Sequence, residues 1–111
     1  MADPGTQHPL LVALGSDAQA LRLLHAAFWA SREQGRPWVA VHVERVGEDG
    51  PEETDQARLW LEEAQSLGGG ALWIRARTLA AGLLQALRQT DADEIHLGLT
   101  RGRWPWNATL Q

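Results

Sequence analysis

Four short apolar runs alternate along the chain with three longer segments whose apolar residues repeat at helical spacing. The apolar runs occupy residues 9–14, 38–43, 71–76 and 94–99. Continuous apolar runs of this length are typical of strands that are buried on both faces. Each run is therefore predicted to form one strand of a sheet that is covered on both sides.

Three amphipathic helices are predicted between these strands. The first ends near Gln34, the second spans about 53–67 and the third about 78–90. Apolar residues three and four positions apart define the side of each helix that faces the sheet. The predicted inward residues are Ala20, Leu21, Leu24, Ala27 and Phe28 in the first helix, Ala57, Trp60, Leu61, Ala64 and Leu67 in the second, and Leu79, Leu83, Leu84 and Leu87 in the third.

Capping residues and glycines mark the ends of the helices. Ser16 or Asp17 is expected to cap the first helix and Thr78 the third. Gly35 is expected to stop the first helix. The polar stretch 44–53 contains glycine and proline and is predicted to be an exposed loop.

The order β-α-β-α-β-α-β indicates parallel strands joined by right-handed crossovers. The expected fold class is therefore α/β, with an open parallel sheet between two layers of helices. We expect residues 1–8 to be a flexible lead-in, 9–104 to form the one domain, and 105–111 to be a tail that begins a truncated final helix. We expect the sheet to lack its last strand, which would leave an edge near strand four uncovered and favour self-association.

Composition and charge narrow the classes of function. The net charge is −4, whereas a nucleic-acid-binding domain normally carries a basic face. The chain has no cysteine, which excludes disulfides and thiolate chemistry. No apolar run approaches the roughly 18 residues of a membrane span, and the first residues lack the order of a signal peptide. We expect a cytoplasmic location, no nucleic-acid partner and no membrane insertion of this segment.

The candidate ligand site follows the last strand. Gly98, Thr100, Arg101, Gly102 and Arg103 form a glycine-rich, basic loop at the expected carboxyl end of a parallel strand, where open sheets bind ligands. The backbone N–H groups of such a loop can hold a phosphate, and its arginines can supply positive charge. A plain turn with solvated arginines is the alternative.

Other polar residues close to strand ends have two interpretations each. Ser16, which follows Gly15 after the first strand, is either a helix cap or a hydroxyl contact for a ligand. His42 and His96 alternate with aliphatic residues and either flank a pocket or are structural. No metal-ligand spacing, dinucleotide-binding motif, P-loop or nucleophile elbow is present. We therefore expect neither a metal site nor catalytic residues.

Three parts of the sequence together resemble the universal stress protein (Usp) family. They are residues 10–16 (LLVALGS), 35–44 (GRPWVAVHVE), and 93–98 (DEIHLG) followed by 101–104 (RGRW). The resemblance is greater to the Usp-like domain of KdpD-type, potassium-responsive sensor histidine kinases than to free-standing members. It implies a Rossmann-like, adenine nucleotide alpha hydrolase-like fold with strand order 3-2-1-4-5, of which this chain supplies four strands.

The resemblance also implies a nucleotide site where strands one and four lie side by side. Nucleotide-binding Usp proteins place ATP there and use an acidic residue after strand one, an apolar contact from strand two and G-x-x-G-x9-G-[ST] after strand four. Here Val41 matches the apolar contact, Gly15 and Ser16 replace the acid, and Gly98 and Gly102 are one residue further apart than in the motif. The implied ligand-binding residues are Gly15, Ser16, Val41, His42, Gly98, Thr100, Arg101, Gly102 and Arg103.

The expected function follows from this resemblance. The first hypothesis is a non-catalytic sensory or docking domain of a KdpD-type sensor kinase, which regulates potassium or osmotic signalling through protein contacts or a weakly bound nucleotide. The implied ligands are ATP, AMP or a cyclic dinucleotide. The alternative is a stand-alone universal stress protein that binds ATP or AMP as a homodimer. The expected protein partners are a second copy, other Usp proteins or the rest of the kinase.

Overall fold

The structure is a computed structural model and describes residues 8–15, 19–47 and 50–97. The elements in chain order are β1 (Leu10–Ala13), α1 (Gln19–Gln34), β2 (Trp38–Arg45), α2 (Pro51–Ser66), β3 (Gly70–Ala76), α3 (Leu79–Thr90) and β4 (Glu94–Leu97). The strands form one sheet in the order β3-β2-β1-β4, and each neighbouring pair is parallel. The predicted α/β class and strand order 3-2-1-4 are confirmed.

Helices cover both faces of the sheet. Leu24 of α1 and Leu61 of α2 pack in one buried cluster, and Leu83 of α3 packs in a second cluster on the opposite face. Successive side chains of β2 alternate between the two, with Ala40 in the first cluster and Val41 in the second. This alternation follows from the two-residue period of a strand. The three predicted layers are therefore present.

The inward side of α1 differs from the prediction at one position. Ala20, Leu24 and Ala27 are buried, but Leu21 is 38% exposed. The buried residues Ala20, Leu24 and Ala27 are four and then three positions apart and so form one stripe along the helix. Leu21 lies about 100° around the helix from Ala20 and is therefore outside the centre of this stripe. The two alanines allow α1 to approach the sheet closely along that stripe, which leaves Leu21 at its margin.

In α3, the prediction that Leu84 points inward is wrong. Leu84 is 50% exposed, while Gly82, Leu83 and Ala86 are buried against the sheet. A Cβ atom at Gly82 would overlap with Cγ1 of Val43 on β2. The glycine permits a close approach of helix and strand, and this approach turns Leu84 towards solvent.

The predicted exposed loop 44–53 is shorter in the structure. At its start, β2 continues to Arg45, since Arg45 is in register with Ala76 of β3. At its end, α2 begins at Pro51, and a carboxylate oxygen of Glu53 accepts the N–H of Gly50 at 3.2 Å. Proline is favoured at a first helical position because its missing N–H is not needed there.

The ends of the helices agree with the predicted signals where the structure describes them. The Thr78 hydroxyl accepts the N–H of Ala81 at 3.1 Å, which confirms the cap of α3. Gly35 follows α1 with a φ of +64°, a left-handed conformation that glycine adopts without strain. The predicted cap of α1 at Ser16 or Asp17 lies outside the described residues.

The amino edge of the sheet is held together by Arg36. Its guanidinium donates to the carbonyl oxygens of His8 and Pro9, before β1, at 2.9 and 3.4 Å. It also donates to the carboxylates of Asp93 and Glu94, at the start of β4, at 2.5 and 3.3 Å. The Arg36 side chain is 18% exposed. One side chain thus connects the beginnings of β1, β2 and β4.

His8 lies within the predicted flexible lead-in but contacts the folded domain. Its Nδ1 donates to the carbonyl oxygen of Asp91 at 2.7 Å, and its backbone oxygen accepts from Arg36. The rest of the predicted lead-in, 1–7, and the predicted tail, 105–111, lie outside the described residues.

Candidate functional site

The direction in which the chain winds across the sheet reverses at β1, which lies between β2 and β4. Ala13, the last residue of β1, is in register with Val41 of β2 and with Leu97 of β4. Because the strands are parallel, β1 and β4 end side by side at the same edge. Open α/β sheets bind ligands in the crevice outside the carboxyl ends of strands at such a reversal.

Two hydrogen bonds fix the chain where it leaves β1. The N–H of Leu14 donates to the carbonyl oxygen of Val41 at 2.8 Å. Nδ1 of His42 donates to the carbonyl oxygen of Leu14 at 3.1 Å. Leu14 and His42 are each 5% exposed, whereas the next residue, Gly15, is exposed. The turn therefore begins directly after Leu14, a residue that β2 holds through both its N–H and its carbonyl group.

His42 is itself held by a row of side chains across β2 and β3. The rings of His42 and Trp73 are in contact, with centroids 4.8 Å apart. The indole N–H of Trp73 donates to the carboxylate of Glu44 at 2.9 Å, and Nε of Arg75 lies 3.6 Å from the same oxygen. These residues are cross-strand neighbours on one face of the sheet. The row limits the orientation of His42 and hence of the Leu14 carbonyl.

The polar side chains that the structure describes do not assemble into a metal centre. His96 of β4 donates from Nε2 to the carboxylate of Glu94 at 2.8 Å. Within the residues that the structure describes, no three His, Asp or Glu side chains are grouped so that they could bind a metal ion. The helices of these residues are all too short or too polar to cross a membrane.

The chain is similar to known proteins in its three-dimensional structure. Its sequence matches no protein-family model and no curated protein. The structure is similar to that of a universal stress protein from Archaeoglobus fulgidus, with a TM-score of 0.65 and 25% identity, covering 88% of this chain and 80% of that one.

Two further similar structures contain nucleotides. The universal stress protein from Archaeoglobus fulgidus in complex with dAMP has a TM-score of 0.60 and 23% identity, covering 81% of this chain and 79% of that one. A universal stress protein in complex with cAMP has a TM-score of 0.58 and 11% identity, covering 81% of this chain and 71% of that one. The chain has the universal stress protein fold.

In this universal stress protein fold, three of the predicted ligand-binding residues can be located. Gly15 is exposed at the carboxyl edge, directly after the peptide that His42 holds. Val41 is 0% exposed and packs in the α3 cluster, so its side chain lies on the opposite face of the sheet from that of His42. The other predicted residues, Ser16, Gly98, Thr100, Arg101, Gly102 and Arg103, lie outside the described residues, and their roles stay predictions.

The partners of His42 in this universal stress protein fold cannot be predicted from the local sequence. A histidine within an apolar strand needs a hydrogen-bond partner when it is buried, which was a usable signal. The identity of that partner, Leu14, depends on the register between β1 and β2. The contact with Trp73 depends likewise on the register of β3. The register between strands is set by the packing of the whole sheet and cannot be predicted from the residues of one strand alone.

Proposed function

We propose that this protein is a non-catalytic universal stress protein domain that binds an adenine nucleotide weakly at the carboxyl edge of β1 and β4. The proposal rests on the parallel pairing of these two strands, with Ala13 in register with Leu97. That pairing brings together, at a reversal point of the sheet, the ends of two strands that are each followed in the sequence by a glycine within two residues. The dAMP and cAMP complexes of structurally similar universal stress proteins support the choice of ligand class.

The residue types at this edge suit a phosphate-containing ligand. Backbone N–H groups of glycine-rich loops and helix N-termini favour anions, and α1 begins at Gln19, shortly after β1 ends. Arg101 and Arg103 can add charge-assisted hydrogen bonds to phosphate oxygens. Ser16 offers a neutral hydroxyl where a carboxylate is expected, and bonds to neutral acceptors are roughly half as strong. We therefore propose weak binding of ATP, AMP or a cyclic dinucleotide.

We assign no catalytic residue to this edge. His42 is buried, and its Nδ1 is committed to the Leu14 carbonyl at 3.1 Å. A general base must reach the proton of a bound ligand, and a side chain held in this way positions the backbone instead. The proposed role of His42 is therefore to orient the turn that precedes the ligand.

The proposed setting is a KdpD-type sensor histidine kinase in the cytoplasm. In this setting the domain regulates kinase signalling through protein contacts, and nucleotide binding biases those contacts. Residues 35–44 carry the part of the resemblance that includes Arg36, whose ion pairs connect the start of β2 with the start of β4. The alternative is a stand-alone universal stress protein that binds ATP or AMP as a homodimer.

Titration of the chain with ATP, AMP and a cyclic dinucleotide tests the nucleotide proposal. Calorimetry and the fluorescence of the six tryptophans report binding. We expect Ser16→Ala combined with Arg101→Ala to abolish the response. The matched control is Ser66→Ala combined with Arg88→Ala, the same chemical changes at the ends of α2 and α3 and so at the opposite edge of the sheet. Equal binding by both double variants would show that the pocket is elsewhere.

The affinity distinguishes the two settings. Saturation at micromolar nucleotide favours the stand-alone protein, and no response up to millimolar nucleotide favours a docking domain that acts without it. A direct test of the kinase setting is addition of the chain to the cytosolic region of a KdpD-type kinase. A change in the autophosphorylation rate supports docking, and an unchanged rate with no detectable complex contradicts it.

A further inference from the structure

The outer face of α1 carries an exposed tryptophan between basic side chains. Trp29 is 61% exposed. It lies opposite the inward residue Leu24, since five residues at about 100° each bring the helix to the other side. Arg22 and Arg32 are exposed on the same side of the helix, with Glu33 as the one acidic residue of α1. This face is therefore apolar at its centre and net basic.

The outer face of α2 has the complementary composition. Leu59 is 55% exposed and lies away from the buried Leu61. Asp55 and Glu62 are exposed on either side of Leu59 along the helix. Arg58, 62% exposed and 3.9 Å from Asp55, is the only basic residue of the helix. The face is apolar at its centre and net acidic.

We propose that α1 and α2 form a self-complementary surface through which two copies of the chain associate, with α1 of each copy packed on α2 of the other. The second copy is the occupant because the chain itself supplies the opposite charge and the apolar counterpart for each helix. Two-fold dimers require such a self-complementary patch. The inference is independent of nucleotide binding.

The arrangement of the helices selects one orientation of the two-fold axis. Both helices lie in one layer on the same face and connect parallel strands, so they run in the same direction. The exposed rows read, in chain order, Arg22, Trp29, Arg32 on α1 and Asp55, Leu59, Glu62 on α2. A two-fold axis that is parallel to the helices and midway between them places α1 of one copy over α2 of the other, running in the same direction. Each basic row then lies opposite an acidic row. An axis across the helices would instead set α1 on α1 and α2 on α2, with like charges together.

The size of the surface predicts a weak dimer. Each helix has 16 residues and is about 24 Å long, and packed helices lie roughly 9 Å apart. The footprint is therefore on the order of 500 Å² per copy, below the roughly 800 Å² of a standard interface. We expect dissociation constants on the order of 10 to 100 μM, which sedimentation equilibrium resolves.

Charge reversal on one helix at a time gives the first test. In Arg22→Glu/Arg32→Glu the exposed rows of both helices are acidic, and in Asp55→Arg/Glu62→Arg the exposed rows of both helices are basic. We expect each double variant to be monomeric at concentrations where the wild type is dimeric. The control Arg77→Glu/Arg88→Glu changes exposed arginines before and within α3, on the other side of the sheet, and is expected to dimerise like the wild type. Circular dichroism confirms that each variant is folded.

Mixing the two double variants gives the decisive result. In the mixed pair, both α1–α2 contacts bring opposite charges together, so we expect a one-to-one heterodimer from two monomeric proteins. The quadruple variant with both helices reversed is expected to self-associate again. A monomeric wild type up to about 0.5 mM overturns the proposal. Dimerisation that survives either double reversal, or a mixture that stays monomeric, overturns it as well.

Discussion

Arg36 and Asp93 are 57 residues apart in the sequence and are joined by an ion pair of 2.5 Å between Nη2 and Oδ1. The pair connects the turn after α1 with the turn before β4. Since Arg36 also donates to the carbonyls of His8 and Pro9, the starting positions of three strands depend on one planar guanidinium.

The first prediction concerns this guanidinium. Arg36→Ala should lower the free energy of unfolding by about 2 kcal/mol, because several charge-assisted hydrogen bonds are lost at once. Arg36→Lys keeps the charge but not the fork of donors and should still cost about 1 kcal/mol. Urea unfolding measures both, with Arg88→Ala at an exposed position as control. A loss for Arg36→Ala no larger than that for Arg88→Ala would contradict the role assigned to Arg36.

The second prediction concerns the close approach of α3 to β2. Gly82→Ala should destabilise the fold by about 1–3 kcal/mol, because the new methyl group meets the stiff, β-branched Val43. In an unobstructed helix interior the same change would stabilise by about 1 kcal/mol. Adding Val43→Ala to Gly82→Ala should recover part of the loss in a double-mutant cycle. If the two losses are simply additive, the contact between these residues is not their cause.

The third prediction concerns the cap of α3. Thr78→Ala removes the acceptor of the Ala81 N–H and should cost about 1 kcal/mol. Thr78→Ser and Thr78→Asp keep a side-chain acceptor and should stay within about 0.5 kcal/mol of the wild type. Thermal unfolding monitored by circular dichroism gives the comparison. Equal losses for alanine and serine would mean that the methyl group of Thr78, rather than its hydroxyl, contributes the stability.

The fourth prediction concerns the hydrogen bond that holds the end of β1. His42→Phe keeps an aromatic ring against Trp73 but leaves the buried Leu14 carbonyl without this donor, so it should cost about 1–3 kcal/mol. It should also weaken nucleotide binding, since the freed peptide precedes Gly15. His96→Phe, on β4, is the comparison variant. Loss of stability with full nucleotide affinity would separate the scaffold role of His42 from the proposed positioning role.

The positions of the elements were largely predictable because each has its own local pattern. The apolar runs located all four strands, and Thr78 and Gly35 marked helix ends by chemistry that acts within one turn. The parallel order followed from the alternation of strands and helices. The adjacency of β1 and β4 came from the family resemblance, and the pairing of Leu11 with Ile95 confirms it.

The details that failed depend on contacts between distant parts of the chain. Leu84 was expected inward because it is apolar, yet the approach permitted by Gly82 decides which side of α3 meets Val43. The length of β2 depends on the partner that β3 offers to Arg45. The tether from His42 to Leu14 likewise exists only once two strands are in register. The roles of Ser16 and of residues 98–103 remain predictions.

The strand order also has a consequence for synthesis on the ribosome. β1 is made first and consists of Leu10, Leu11, Val12 and Ala13, but one of its two neighbours is β4, the last strand that the structure describes. A nascent chain that has emerged as far as Thr90 can pair β1 with β2 and β2 with β3, while the other side of β1 still presents unpaired amide and carbonyl groups. Exposed apolar edges of this kind promote aggregation. A ribosome that pauses between α3 and β4 is therefore expected to hold this chain in an aggregation-prone state, with one side of β1 unpaired.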